Sequence, residues 1–219
     1  IGCGMMRPER HRFVTLKSSW RDHAILSPCG IAAGELLPDW VDAGRPLIVA
    51  SSAAGDGETT IRLGLSTPEK RRLGLCVALE AINRVLPPVA LEDAATSAPD
   101  EWQDTIRMIS KTAARFGLSL SVFGSLAWTH LSGENHLHAG SDLDLLVSTS
   151  TPDSSLEAVQ SLLEIAGKPR LDGELLLTDG SGVNLREYAA RPNQILVKQH
   201  GGPRLVEYSS LISVARSAA

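Results

Sequence analysis

Cysteine is scarce in this chain and poorly placed to share a ligand. Only Cys3, Cys29 and Cys76 occur in 219 residues, an odd number, widely spaced and without a Cys-x-x-Cys. That pattern argues against a zinc site and favours a reducing cytoplasm. No apolar run approaches the roughly 20 residues of a membrane-spanning helix, so no membrane association is expected. No secretory leader is evident; Ile1-Gly2-Cys3-Gly4 ahead of Met5-Met6 reads as an added or upstream extension. Excess positive charge is missing too. With 21 Lys+Arg against 25 Asp+Glu, the net charge is −4, a poor basis for non-specific nucleic-acid binding. There is no glycine-rich loop of the Walker or Rossmann type and no internal repeat. Ser125 has no Ser-His-Asp arrangement around it. His130, His136 and His138 lie in or before a loop without a set of partner ligands.

What remains is ordinary globular composition, 43% apolar and 21% charged. The length suits one large domain or two small ones. Residues 1–95 hold 11 basic and 11 acidic side chains, whereas residues 96–219 hold 10 and 14 and carry the whole net charge. The stretch from Ala90 to Pro99 (ALEDAATSAP) reads as a linker. An N-terminal domain over 1–93 and a second domain over 94–219 are expected, α+β overall: a small N-terminal α/β unit, then a mixed sheet with flanking helices.

In the first unit, strands are expected at Arg12–Leu16, Pro46–Ser51 and Thr59–Ser66, with a Gly- and Pro-rich loop over 27–45. Ala53 to Gly57 reads as a hairpin turn. A helix is expected from Thr67, with Pro68 at its first position and Leu73, Cys76, Leu79 and Leu86 as its stripe, stopped by Pro87-Pro88. In the second unit, Trp102, Ile106, Ile109, Ala113 and Phe116 predict one buried helix face over 100–116, ended by Gly117. Strands follow at Leu118–Phe123 and Asp142–Ser148, with a short helix at Ser125–Leu131. A helix from Thr151-Pro152-Asp153 to Gly167, a hairpin of Arg170–Thr178 with Val183–Tyr188, and a last strand Gln194–Gln199 complete the unit.

The chemistry concentrates at two places. Gly124-Ser125 follows one apolar strand, and Asp142-Leu143-Asp144-Leu145 heads another. Alternate residues of a strand share a face, so Asp142 and Asp144 point one way and Leu143 and Leu145 the other. Two close carboxylates repel unless a cation lies between them. Mg²⁺ takes oxygen ligands and keeps positions open for substrate phosphates. Gly124 permits close backbone approach, a helix starting there turns its free N–H groups to a phosphate, and Ser125 adds a hydroxyl. A transferase also needs its nucleophile positioned and deprotonated, and a third acid on a neighbouring strand would serve. Asp172 and Glu174 share a face. Asp172 is preferred because it is nearer the strand start and Gly173 leaves room for ligand; Glu187 is a weaker choice. Lys198 and Arg186 are within plausible reach of donor phosphates. Lys70-Arg71-Arg72 is a basic run suited to an acidic partner.

These features resemble the nucleotidyltransferase superfamily of DNA polymerase beta over roughly residues 100–190. A closer resemblance covers most of the chain. Ser121 to Trp128 (SVFGSLAW), Gly140 to Leu146 (GSDLDLL) and Arg170 to Glu174 (RLDGE) resemble the phosphoribosyl-dephospho-CoA transferase of malonate decarboxylase. Arg45 to Val49, Gly64-Leu65-Ser66, Lys70 to Arg72 and Leu86 to Pro88 fit as well. The 16 residues between Ser125 and Asp142, long for the superfamily, suit this family. The resemblance implies a nucleotidyltransferase-like second domain. It also implies transfer of the 2'-(5''-phosphoribosyl)-3'-dephospho-CoA group from its triphosphoribosyl donor to a serine of the acyl carrier subunit, with diphosphate released. Asp142, Asp144 and Asp172 would bind Mg²⁺ and carry catalysis; Gly124, Ser125, Glu174 and Lys198 would contact substrate. The rivals are a small-molecule nucleotidyltransferase using ATP and a non-catalytic nucleotide-binding module.

Overall fold

Strand periodicity governs the N-terminal half more than composition suggests. The computed structural model describes residues 7–26, 31–51, 57–149, 155–199 and 201–211. Its first unit is a six-stranded sheet in the order β2-β5-β4-β3-β1-β6. The strands are β1 (Phe13–Leu16), β2 (Ala24–Leu26), β3 (Leu47–Val49), β4 (Thr60–Ser66), β5 (Arg72–Ala78) and β6 (Ile82–Val85), with helix α1 (Ile31–Asp42) between β2 and β3. All pairings are antiparallel. β3 and β4 pair as expected; Ala53 to Asp56 of their expected turn lie outside the described residues.

Two sequence expectations fail here. The stretch from Thr67 to Leu86 is not a helix but β5, a 3₁₀ turn at Leu79–Ala81, and β6. Leu73, Cys76 and Leu79 do fit a helical stripe. However, Leu73, Leu75 and Val77 fit an alternating one, and these three face Leu65, Leu63 and Ile61 of β4 across the ladder. All six are buried, and burying each such side chain is worth about 1.5–3 kcal/mol. Thr67 to Arg71 form the hairpin turn: Lys70 N–H donates to the Thr67 carbonyl at 2.9 Å, and Lys70 takes φ of 64°. The expected loop over 27–45 contains α1, which runs through Pro38. Leu37, Trp40 and Val41 are buried at one-turn spacing, and Trp40 Nε1 donates to the Pro46 carbonyl at 2.8 Å.

The segment Leu131–His136 belongs to this first unit although it comes from the long stretch between Ser125 and Asp142. Arg45 Nη1 meets Glu134 Oε1 at 2.6 Å while its guanidinium lies 4.8 Å over the Trp40 ring. Lys70 Nζ donates to the His136 carbonyl. His136 is 1% exposed, bonded to Ser132 Oγ at 3.1 Å and edge-on to Trp40. Burial pushes its imidazole below the usual histidine range.

The second unit carries a seven-stranded mixed sheet, β13-β12-β11-β10-β9-β8-β7. Its elements are β7 (Val89–Ala90), α2 (Leu91–Ala94), α3 (Gln103–Phe116), β8 (Leu118–Val122), α4 (Gly124–Ser132), β9 (Leu143–Thr149) and α5 (Ser155–Leu163). Then come β10 (Leu171–Leu176), β11 (Gly182–Asn184), α6 (Leu185–Ala190), β12 (Gln194–Gln199) and β13 (Gly202–Glu207). The expected linker is thus folded into β7, α2 and short 3₁₀ turns. β13 had no signal in the sequence, α5 stops at Leu163 short of Gly167, and the expected start at Thr151-Pro152-Asp153 lies outside the described residues. Gly117 ends α3 in the left-handed conformation at φ 63°, as expected. The expected strand Val183–Tyr188 breaks at Asn184, whose side chain accepts from the N–H groups of Arg186 (2.9 Å) and Glu187 (3.2 Å) and so starts α6. β9 and β10 pair in parallel, and α5 lies in the connection that a parallel pair requires. Leu143, Leu145 and Val147 are fully buried on one face of β9.

Candidate active site

The parallel register of β9 and β10 builds the site. Leu143 pairs with Leu171 and Asp144 with Asp172, so Asp144 and Asp172 project side by side from strands about 4.8 Å apart. Their neighbours Leu143 and Leu171 are buried. Asp144 is pinned from the adjacent strand end. Phe123 N–H donates to the Asp144 carbonyl at 3.1 Å, and the chain then turns at Gly124 with φ 63° to begin α4. A Cβ at 124 would stand 1.9 Å from Asp144 Oδ2. Glycine is therefore required twice over, by the backbone angle and by the carboxylate. The first N–H groups of the nine-residue α4, that of Ser125 included, start at this contact. Asp172 Oδ1 accepts from Gly173 N–H at 2.8 Å and from Asn184 Nδ2 at 3.3 Å.

Asp142 lies one residue before β9, and Arg170 one residue before β10. Arg170 donates from Nε to Oδ1 (3.0 Å) and from Nη2 to Oδ2 (2.5 Å) of Asp142. These hydrogen bonds hold the Asp142 carboxyl below the usual aspartate range against the opposing effect of burial, with the Arg170 and Arg186 charges adding to them. The Arg170 guanidinium is correspondingly raised, by Asp142 first and then by the charges of Asp172 and Asp144. Arg186 Nη2 donates to the Leu171 carbonyl at 2.8 Å. Two guanidinium groups thus stand at the carboxylate edge.

The remaining residues fall elsewhere. Glu174 is 4% exposed and bonded to Lys198 Nζ at 2.7 Å, so each neutralises the other. Gly173 leaves no room for a ligand; a Cβ there would stand 2.1 Å from the Leu145 carbonyl oxygen of β9. Trp128 is buried. His130 meets Ser97 Oγ at 3.2 Å, and His138 Nδ1 accepts from Gly140 N–H at 3.1 Å. Glu187 Oε1 accepts from Leu196 N–H at 3.3 Å. Sequence reasoning missed Arg170 and Asn184. The signal for Arg170 was its place, opposite in charge to Asp142 and equivalent in strand position; Asn184 could be found only as a helix cap.

Among the described residues, no three of His, Cys, Asp and Glu are gathered closely enough to hold a metal ion. Mg²⁺ does not need three. It is held by one or two protein carboxylates and completes its shell with water and substrate phosphate. Asp144 and Asp172 fit that requirement by donor type and register, while both oxygens of Asp142 are engaged by Arg170.

Paired carboxylates, a helix N-terminus and guanidinium groups at one sheet edge are the equipment of a group-transfer enzyme acting on phosphates. Family comparison is specific about which. Residues 90–209 match the phosphoribosyl-dephospho-CoA transferase MdcG C-terminal domain, and residues 9–88 match its N-terminal domain. A phosphoribosyl-dephospho-CoA transferase of Xanthomonas campestris pv. campestris (strain 8004) is 37% identical over 208 residues, covering 92% of this chain and 95% of the relative. One from Xanthomonas axonopodis pv. citri is 37% identical over 216 residues, covering 96% and 99%. One from Bradyrhizobium diazoefficiens is 32% identical over 215 residues, covering 95% and 94%. No solved structure matches. The chain belongs to the phosphoribosyl-dephospho-CoA transferase MdcG family.

Proposed function

We propose that this site attaches 2'-(5''-phosphoribosyl)-3'-dephospho-CoA to a serine of the acyl carrier subunit of malonate decarboxylase, in the cytoplasm and with Mg²⁺ bound at Asp144 and Asp172. The serine oxygen forms a bond to the ribose-linked phosphorus of the triphosphoribosyl donor. The bond from that phosphorus to the bridging oxygen breaks, diphosphate departs, and the serine proton is lost to a base. The observation that carries the reading is the lateral register of Asp144 and Asp172 beside a helix that starts on Gly124, in a chain matched to one transferase family from residue 9 to residue 209. Bound Mg²⁺ would neutralise charge on the phosphates.

The chain's own residues do the rest. Gly124 brings the start of α4 against Asp144, and Ser125 with the first N–H groups of the helix would receive departing phosphate oxygens. Asp172, oriented by Gly173 N–H and Asn184, is the candidate to accept the serine proton. Arg186 adds positive charge where negative charge accumulates. Arg71 and Arg72 are exposed and suited to steer an acidic carrier. The test is mass spectrometry of the carrier after incubation with enzyme, donor and Mg²⁺. Asp144→Asn should lower modification by about 10²–10³-fold, the scale set by losing one preorganised charge interaction. Full modification by that variant, or diphosphate release from ATP without carrier, would overturn the reading.

A further inference from the structure

The Asp142–Arg170 pair has an odd combination of properties. It is bidentate, the geometry of a strong charge-assisted contact. Yet the Arg170 side chain is 65% exposed and that of Asp142 28% exposed, so water and ions reach both partners. An exposed ion pair contributes little to folding. This one nevertheless occupies both oxygens of a carboxylate beside the Asp144–Asp172 pair, and Arg170 is electrostatically linked to all three acids.

Resting on the reading above, we propose that Arg170 is a phosphate-binding residue that occupies Asp142 until the donor arrives. In the donor-free enzyme its guanidinium serves as the counter-ion of the carboxylate edge. When the donor enters with its metal, positive charge arrives that can replace the guanidinium at Asp142. Arg170 is then released at the mouth of the site, where its planar fork matches two phosphate oxygens as well as it matches a carboxylate. Asp142 in turn becomes available as a further oxygen ligand. Metal and guanidinium compete for Asp142 in the empty enzyme and cooperate on the diphosphate in the loaded one. No bond is made or broken in the exchange.

That gives effects of opposite sign, which a structural role would not produce. The probes are Mn²⁺ alone, followed by the loss of its free electron paramagnetic resonance signal, and inorganic diphosphate titrated in the presence of Mn²⁺. Arg170→Ala should bind Mn²⁺ alone about threefold more tightly, because an exposed competitor has been removed. It should bind diphosphate about tenfold more weakly, because a charge-assisted hydrogen bond has been lost. Arg170→Lys should fall between, keeping charge without the fork. Circular dichroism checks that both variants fold. Weaker or unchanged Mn²⁺ binding, or unchanged diphosphate binding, in Arg170→Ala overturns the proposal. Asp144→Asn separates the two levels: if it binds Mn²⁺ like wild type, the metal reading and the Arg170 proposal both fall. If it loses Mn²⁺ while Arg170→Ala changes neither affinity, only the Arg170 proposal does.

Discussion

Two acid–base pairs stand on the same sheet, and they differ in depth. Asp142 and Arg170 meet at the open edge where β9 and β10 begin. Glu174 and Lys198 meet farther along β10, with the Glu174 side chain 5% and the Lys198 side chain 37% exposed. The chemistry is alike and the distances are similar, 2.5 Å and 2.7 Å. What differs is the alternative available to each partner. Asp142 without arginine still has water, whereas Glu174 without lysine is a charge in the protein interior. A carboxylate–cation pair is open to exchange at the edge and enclosed inside. A list of charged residues near a catalytic strand does not separate the two; burial does.

The largest expected effect tests the deep pair. Lys198→Met should cost about 3 kcal/mol of stability, since it removes the cation bonded to the buried Glu174 carboxylate. Adding Glu174→Gln should recover most of the loss, read as a non-additive cycle in urea unfolding. Additive losses would show that the pair is not coupled.

Between the pairs lies Asp144, which depends on space at Gly124. Gly124→Ala should cost about 1 kcal/mol for a left-handed alanine. It should also lower carrier modification by about 10²-fold, because the carboxylate must move by an ångström or so. Normal activity in that variant would mean that Asp144 is not required where it stands.

The smallest effect concerns the edge pair. Asp142 is held below its ordinary value of 3.8, first by the Arg170 hydrogen bonds. A carboxylate lowered in the folded state adds stability that is present above the unfolded value and is lost as pH falls through the folded one. The small advantage of wild type over Arg170→Ala should therefore be constant near neutrality and vanish in acid below that value. An advantage that grew in acid would place the pair's contribution elsewhere.

The acidic strand was legible because its signal is local. Asp142, Leu143, Asp144 and Leu145 alternate, and alternation alone assigns faces. The helical face of Trp102, Ile106, Ile109, Ala113 and Phe116 was legible for the same reason; the first four are buried and Phe116 is half-buried. The partner of Asp142 was not, since Arg170 is 28 residues away and becomes its neighbour only through the parallel register of β9 and β10. Glu174 and Lys198 were picked out as charged residues of the right type, and nothing in the sequence says that they would face each other. β5 was misread because Leu73 and Cys76 satisfy a helical period while Leu73, Leu75 and Val77 satisfy a strand. The ladder with β4 decided between them.

The segment Leu131–His136 has a practical consequence for anyone who would take this enzyme apart. The family match divides cleanly between residues 88 and 90, which invites expression of the two halves from separate genes. A first half ending at Pro88 would lack Glu134 and His136. Trp40 would lose its edge-on imidazole, Arg45 its carboxylate and Lys70 its carbonyl. The cut that looks natural in one dimension runs through a module that takes in a piece spelled more than forty residues downstream of it.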